Sequence, residues 1–380
     1  MKYSRDQDGD GPIKIAGAGP AGLAAAITLA NAGREVIVHE AMLEVGHRFN
    51  GDLQGLENWS AEQDILQWMQ GLGLTTKFAT AACRRGVAFD AWGERYDIGG
   101  DETLFYMIER GPGPSSLDSA LKAQALALGV DIRFGSRVRN LEGSGILATG
   151  PRAADVIAVG YHFKTSMENG FWVILDDSLA PGGYAYVLVM NGRGTIKSCM
   201  FTDFKQESMY VDRAVQAFRK LIDLEMIEPI PHGGVGNFHV PKQGVSGGHP
   251  IVGEQAGFQD FLWGFGIRFA LHSGVVAAEC LLGSKDYDQL WRESWQSKFN
   301  NSLVNRACFS LLGNRGYRWI LQHQHARNSN ARRSLYKLYQ PSLIRRLLLP
   351  WAKQRFHSNR LDEGCLHQDC TCVWCRHGIV

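Results

Sequence analysis

The sequence predicts an α/β chain in which a parallel strand–helix–strand unit opens the fold, an antiparallel sheet is inserted into it, and a basic helical region closes it. Three observations carry this expectation. Residues 13–18 and 35–39 are apolar or β-branched runs on either side of a glycine turn and an Ala- and Leu-rich stretch, 20–31. Residues 160–236 break into strand-like segments separated by Asp, Gly and Asn turns. From 294 to 361 there are thirteen Lys or Arg residues and no Asp or Glu, against 27 basic and 38 acidic residues elsewhere.

With 380 residues, 45% of them hydrophobic, the chain can bury a large core as one large domain or two intertwined ones. Residues 1–12 are polar and lack the charged and apolar regions of a secretory signal. Even the richest apolar stretch, 261–282, carries Arg268, His272 and Glu279, so no run reaches the roughly 20 residues that span a bilayer. The expectation is a cytoplasmic protein, with any membrane contact peripheral to the inner face.

Taken in order, helical spacing returns at 61–70, and 85–98 alternates as a hairpin turning near Trp92-Gly93. Residues 115–128 are helical in pattern and stop at Gly129 before a strand at 130–134. Residues 146–147 and 155–159 read as further sheet strands. In the inserted region, 171–175, 184–190 and 195–201 form the antiparallel sheet, and a helix follows near 211–224. Gly-rich sequence at 244–274 and a helix through 275–282 return to the first domain. The expected division is therefore 1–160 with 237–290 as a discontinuous nucleotide-binding domain, 161–236 as a sheet domain for substrate, 291–361 as a basic helical region and 362–380 as a Cys-rich tail.

The opening turn reads Gly17-Ala18-Gly19-Pro20-Ala21-Gly22, with Glu40 then Ala41 at the end of the second strand. This is the Rossmann-type dinucleotide fingerprint in its required context. Gly17 allows the tight turn, Gly19 lets the backbone approach a pyrophosphate, and Gly22 lets the helix pack on the strand with its N-terminus toward the phosphates. Glu40 is placed to accept from ribose hydroxyls. The fingerprint alone does not separate FAD from NAD.

A second region decides between them. Gly253-Glu254-Gln255-Ala256-Gly257, then Gly264-Phe265-Gly266-Ile267-Arg268 and a helix, resembles the segment that closes over the flavin in the geranylgeranyl reductase family, whose fold is like that of p-hydroxybenzoate hydroxylase. The resemblance implies FAD, with Glu254 at the ribitol and Gly264, Gly266 and Ile267 beside the pyrophosphate and isoalloxazine. It also implies that Gly46-His47-Arg48-Phe49-Asn50-Gly51 is a flavin-contacting loop, with Arg48 near the FAD phosphates and Gly51 among the cofactor-binding residues. Met107-Ile108-Glu109-Arg110 and Gly182-Gly183-Tyr184-Ala185-Tyr186 resemble further family landmarks. Tyr184 and Tyr186 would approach the flavin or the substrate pocket, or else form a buried aromatic pair. The chain departs from the pattern at three places. It has Glu254 where the family usually has Asp, and Asn50 where isoprenoid reductases often have Cys. Residues 154–160 lack the Asp-Gly motif of the aromatic hydroxylases, which weakens a hydroxylase reading. His47, His249 and His272 lie in or beside these motifs, and none is assigned as a base.

The function so implied is an FAD-dependent oxidoreductase that reduces C=C bonds in a hydrophobic, isoprenoid or lipid-like substrate, with hydride delivered from reduced flavin N5. The alternatives are a flavin-dependent monooxygenase or halogenase on the same fold, and a flavin electron-transfer or binding module. In the basic region Leu343, Ile344, Leu347, Leu348 and Trp351 recur at helical spacing among Arg345, Arg346, Lys353 and Arg355, the pattern of a helix that lies on an anionic membrane surface. Nucleic acid is a poorer partner, because no recognition motif accompanies the charge. Finally, Cys365, Cys370, Cys372 and Cys375 lie within eleven residues and suit a thiolate metal site, holding zinc or an iron–sulfur cluster. A cluster would take electrons from ferredoxin or another donor; two disulfides are the competing arrangement.

Overall fold

A computed structural model describes residues 11–138, 140–151, 154–283, 285–326 and 330–356. The four cysteines of the tail, 365, 370, 372 and 375, lie outside the described residues.

The opening strand Ile13–Ala16 pairs in parallel with Val36–His39 on one side and Gly145–Leu147 on the other, and Asp131–Arg133 completes a four-stranded sheet. Between the first two strands runs the helix Pro20–Asn31, which opens with proline where no intrahelical N–H is needed. Its Ala24, Ala25 and Ala26 are fully buried. Small side chains there let the helix Ile267–Gly283 come close: a Cβ on Gly274 would stand 2.0 Å from the Ala21 carbonyl oxygen. The helix Leu117–Ala127 is capped by Ser116, whose hydroxyl accepts from Ser119 N. The helix expected at 61–70 is Ile65–Gly71. Asp64 caps it by accepting from Leu66 N and Gln67 N, which sets the later start.

A seven-stranded sheet forms the second layer, in the order Ile227–Gly236, Val156–Lys164, Arg193–Met200, Tyr184–Met190, Gly170–Leu175, Arg85–Asp90, Arg95–Gly99. Every neighbouring pair is antiparallel except Gly170–Leu175 with Arg85–Asp90, which is parallel. Residues 155–159 therefore belong to this sheet and not to the first, because the strand continues unbroken from Val156 to Lys164 and pairs on both edges. The 85–98 hairpin joins it as well. The helix Glu207–Ile222 seals one face, burying Val211, Ala214, Val215 and Phe218 against Val187 and Ile196. A small sheet of Leu53–Glu57, Phe105–Glu109 and Thr80–Cys83 links the two layers.

The basic region is built into the body. Tyr287, Trp291, Trp295 and Phe299 are buried in the main core along the helical stretch from Tyr287–Trp291 into Ser297–Phe309. Three further helices follow, Gly313–Ala326, Ala331–Tyr339 and Leu343–Arg355. Among the described residues no helix is long and apolar enough to cross a membrane.

Candidate active site

One cavity of about 1260 Å³ opens where the first sheet, the seven-stranded sheet and the C-terminal helices meet. Its two ends differ in chemistry.

The polar end is the glycine turn. Gly17 has φ +110°, and a Cβ there would lie 2.2 Å from the Ala148 carbonyl oxygen, so only glycine closes this turn. Gly19 is different: a Cβ would meet nothing within 4 Å, and it carries no capping side chain. The N-terminal amides of the helix Pro20–Asn31 thus face open space, an arrangement that receives anions. Glu40 accepts from Ala18 N at 2.8 Å and from Met42 N at 2.9 Å, which fixes its carboxylate at the rim. Arg48 pairs with Glu254 at 3.1 Å, and the other Glu254 oxygen accepts from Asn237 N.

Gly17, Gly19, Ala21, Glu40, Ala41, Arg48, Glu254, Gly264, Gly266 and Ile267 all line the cavity, as do Tyr184 and Tyr186. Gly22 and Gly51 are outside the lining. A Cβ on Gly22 would stand 1.9 Å from the Gly17 oxygen, and Gly51, at φ +89°, packs beneath the Arg193 guanidinium. Both shape the backbone from behind.

The apolar end is aromatic. Tyr184 and Tyr186 project from one strand with ring centroids 5.8 Å apart, and the Tyr184 hydroxyl donates to the Trp263 carbonyl. Trp59 meets Phe265 edge-on at 4.7 Å. Phe309, Leu321, Leu335 and Leu338 close the far wall from the C-terminal helices.

Sequence reasoning missed a buried polar cluster at the junction of the two ends. Asp52 lines the cavity directly after the 46–51 loop. Its Oδ1 is 2.9 Å from His162 Nε2, 3.3 Å from Thr195 Oγ1 and 3.8 Å from Lys197 Nζ, and Gln54 donates to its Oδ2 at 2.9 Å. Lys197, 1% exposed, donates to His232 Nδ1 at 2.6 Å and to the His232 carbonyl at 2.9 Å. His232 Nε2 is 2.9 Å from the Arg48 carbonyl, and its ring stacks on His162 at 4.1 Å. Burial alone would raise the Asp52 carboxyl, but Lys197 and the His162 bond hold it well below the usual range. Burial brings Lys197 down to about 8 despite the opposing pull of Asp52. His232 is brought down to about 4 by burial and by Lys197. Among the described residues Asp52, His162 and His232 form the one set with ligand atoms close enough to share a metal ion. The Lys197 ammonium already occupies that place on His232 Nδ1, so the charge is balanced without one. The signal available in sequence was alternation: Thr195, Lys197 and Cys199 fall on one face of a strand, and a lysine on an inward face asks for a partner.

No protein-family model matches the sequence, and no curated protein sequence does. Solved structures do match its fold. A geranylgeranyl bacteriochlorophyll reductase-like protein from Thermoplasma acidophilum aligns over 90% of this chain and 96% of its own, with TM-score 0.66 and 16% identity. The flavin-dependent brominase Bmp2 aligns over 90% and 99%, with TM-score 0.61 and 12% identity. A flavoprotein/dehydrogenase from Cytophaga hutchinsonii aligns over 90% and 98%, with TM-score 0.59 and 14% identity. The chain has the fold of these flavoproteins.

Within that flavoprotein fold, three cavity-lining side chains keep buried polar atoms with no protein partner: Gln255 Nε2, Gln259 Oε1 and Trp263 Nε1. Unmet donors and acceptors of this kind are costly unless a ligand satisfies them. Together with the open Gly19 position and the rim carboxylate of Glu40, they fit an extended dinucleotide.

Proposed function

We propose that the chain is an FAD-dependent oxidoreductase that reduces a C=C bond in a hydrophobic, isoprenoid or lipid-like substrate. The observation that carries the reading is that the dinucleotide cradle and the aromatic pocket are one continuous cavity. Bound FAD would supply hydride from its reduced ring. Gly17, Gly19 and the N-terminus of the helix Pro20–Asn31 would hold the pyrophosphate, Glu40 the adenosine ribose, and Glu254 with Arg48 the ribitol side. The aromatic walls keep water from the reacting carbons and favour an apolar substrate over a sugar or an acid. Electrons would come from ferredoxin or another external donor.

The apolar end also opens outward. Leu312 lines the cavity yet is 38% exposed, beside Leu311 at 58%. Asn305, another lining residue, accepts from Arg345 Nε at 3.0 Å, which ties the helix Leu343–Arg355 to this wall. Leu343, Ile344 and Leu347 on that helix face solvent among Arg346, Lys353 and Arg355. An anionic membrane surface complements both the charge and the apolar residues, and a lipid-like substrate would reach the cavity from it.

The deciding experiment is anaerobic. The FAD-loaded protein is reduced chemically and mixed with a polyprenyl alkene, and flavin reoxidation with loss of the double bond is expected. Product formation only with stoichiometric oxygen consumption would instead establish a monooxygenase or halogenase. Reduced flavin that no alkene reoxidises would reassign the fold to electron transfer or binding.

A further inference from the structure

A reduction of C=C needs a proton for one carbon as well as a hydride for the other, and none of the motif residues supplies it. The buried cluster beneath the 46–51 loop does. We propose that Asp52 passes a proton to the substrate and that Lys197 is the store from which that proton comes, an inference that rests on the C=C reduction reading above.

Geometry sets the order of the parts. Asp52 lines the cavity, whereas Lys197, His162 and His232 do not, so the carboxylate is the cluster's contact with a ligand. Lys197 stands behind it at 3.8 Å, in the middle of the seven-stranded sheet, with the remaining donors on His232. A lysine is an expensive side chain at such a position, and a β-branched residue would pack there without cost. What the ammonium gains by being buried beside a carboxylate is transferability. Moving its proton to Asp52 converts two buried charges into none, so desolvation works for the transfer, while the Lys197 charge and the His162 bond hold the ion pair at rest and let the proton move only as the substrate carbon takes it.

The neighbours direct the proton toward the cavity. Because Lys197 donates to Nδ1 of His232, the histidine's own hydrogen is on Nε2, donated to the Arg48 carbonyl. His232 is therefore a neutral acceptor that does not compete for the proton at neutral pH. From the adjacent strand Tyr186 faces Asp52, and burial with the Asp52 charge keeps its phenol protonated. His162 and Thr195 complete the ring around Asp52 Oδ1, and the Arg48 and Glu254 pair lies on the loop side. In the reaction Lys197 passes its proton to the Asp52 carboxylate, leaving a neutral amine, as one substrate carbon takes the hydride and the other takes that proton from Asp52. Giving up the proton returns Asp52 to the carboxylate. A solvent proton entering beside the half-buried His232 then regenerates the ammonium, so the cluster returns to its starting charge.

The test reads the cluster without relying on turnover. In FAD-loaded protein the flavin midpoint potential is measured anaerobically from pH 6 to pH 10. A break near pH 8 is expected in the wild type, where Lys197 loses its proton. Lys197→Met removes the break. Asp52→Asn moves it to lower pH, because the carboxylate is what holds the lysine's proton on. Single-turnover reoxidation by the alkene falls by about 100-fold or more in both variants, the range for a lost general acid. FAD content stays that of the wild type. A cluster that merely pins the loop predicts no break between pH 7 and pH 9 in the wild type, or a break that survives Lys197→Met, and either result overturns the proposal. Should Lys197→Met fail to fold, the wild-type titration and the nearly isosteric Asp52→Asn decide it. Wild-type protein that takes up no FAD at all overturns the cofactor reading, and this inference with it.

Discussion

Arg110 donates to Asp118 through two parallel hydrogen bonds, 2.8 Å from Nε and 2.9 Å from Nη2, with both side chains almost wholly buried. The same carboxylate accepts from Gly111 N, and the guanidinium lies 4.1 Å from the centroid of the Phe49 ring. The pair is thus the footing of the 46–51 loop at the polar end of the cavity. Asp118→Ala leaves a buried guanidinium without its counter-charge and should cost about 3–5 kcal/mol. Denaturant unfolding measures the loss, and FAD affinity should fall with it because the loop loses its anchor. A cost under about 1 kcal/mol would show that the loop is held by other means.

Gly19 is where the cofactor assignment is most exposed to test. The wild type should purify yellow, with one non-covalent FAD per chain. Gly19→Asp should abolish that occupancy, since a carboxylate would fill the open space before the helix N-terminus and repel a pyrophosphate. Full flavin content in this variant, read from the absorption spectrum after desalting, would move the site elsewhere.

Acid should destabilise the protein before its carboxylates titrate. Trp295 donates its indole N–H to Nδ1 of His272 at 3.2 Å, and Trp68 and Trp295 both meet that ring edge-on at 4.9 Å. Burial, with Lys298 and Arg268 nearby, brings His272 down to about 4, as burial does for His232. The unfolded chain binds these protons near pH 6.5 and the folded one only near pH 4. Stability is therefore full above pH 6.5 and declines as pH falls toward 4, by roughly 3 kcal/mol at most for each histidine. Unfolding free energies at pH 7, 5.5 and 4.5 check this. A flat profile would show that one or both rings accept the proton without loss of structure.

The helix Leu343–Arg355 supplies a fourth prediction. Its Leu343 and Leu347 are 79% and 80% exposed. Co-sedimentation with vesicles should require anionic lipid, weaken as salt rises, and be lost in the Leu343→Glu, Leu347→Glu double variant. Binding that ignores both lipid charge and salt would remove the membrane from the account.

Local signals made the cradle legible. Gly17, Gly19, Gly22 and Glu40 act within one βαβ unit, where spacing determines geometry, and the strand–helix–strand order at 13–39 could be read directly. Asp64 and Ser116 set helix starts by capping, and the pattern around each is equally local. The sheets were harder. Leu53–Glu57 is short, carries Gly55 in its middle and has no clean alternation, so its pairing with Phe105–Glu109 left no trace in the sequence. The resemblance of the 46–51 loop puts Gly51 at the cofactor, and in the structure its positive φ serves a turn packed on Arg193. The charged cluster was invisible for a different reason. Its members stand at 52, 162, 197 and 232, and only the register of the long strands brings them together.

The parallel pairing of Arg85–Asp90 with Gly170–Leu175 also constrains how the molecule can be made. A ribosome releases the 85–99 hairpin some seventy residues before its partner strand exists. Until then the hairpin holds an open edge that would pair with any available strand. The meander must be finished before the hairpin can dock, which makes that docking a late, long-range step. It follows that neither sheet can be excised as a self-standing piece. A fragment ending near 160 would carry two orphan strands, and one beginning there would lack the edge that completes its floor. Pulse-labelled nascent chains should accordingly remain protease-sensitive across 85–99 until synthesis has passed residue 236, where the last strand of that sheet ends.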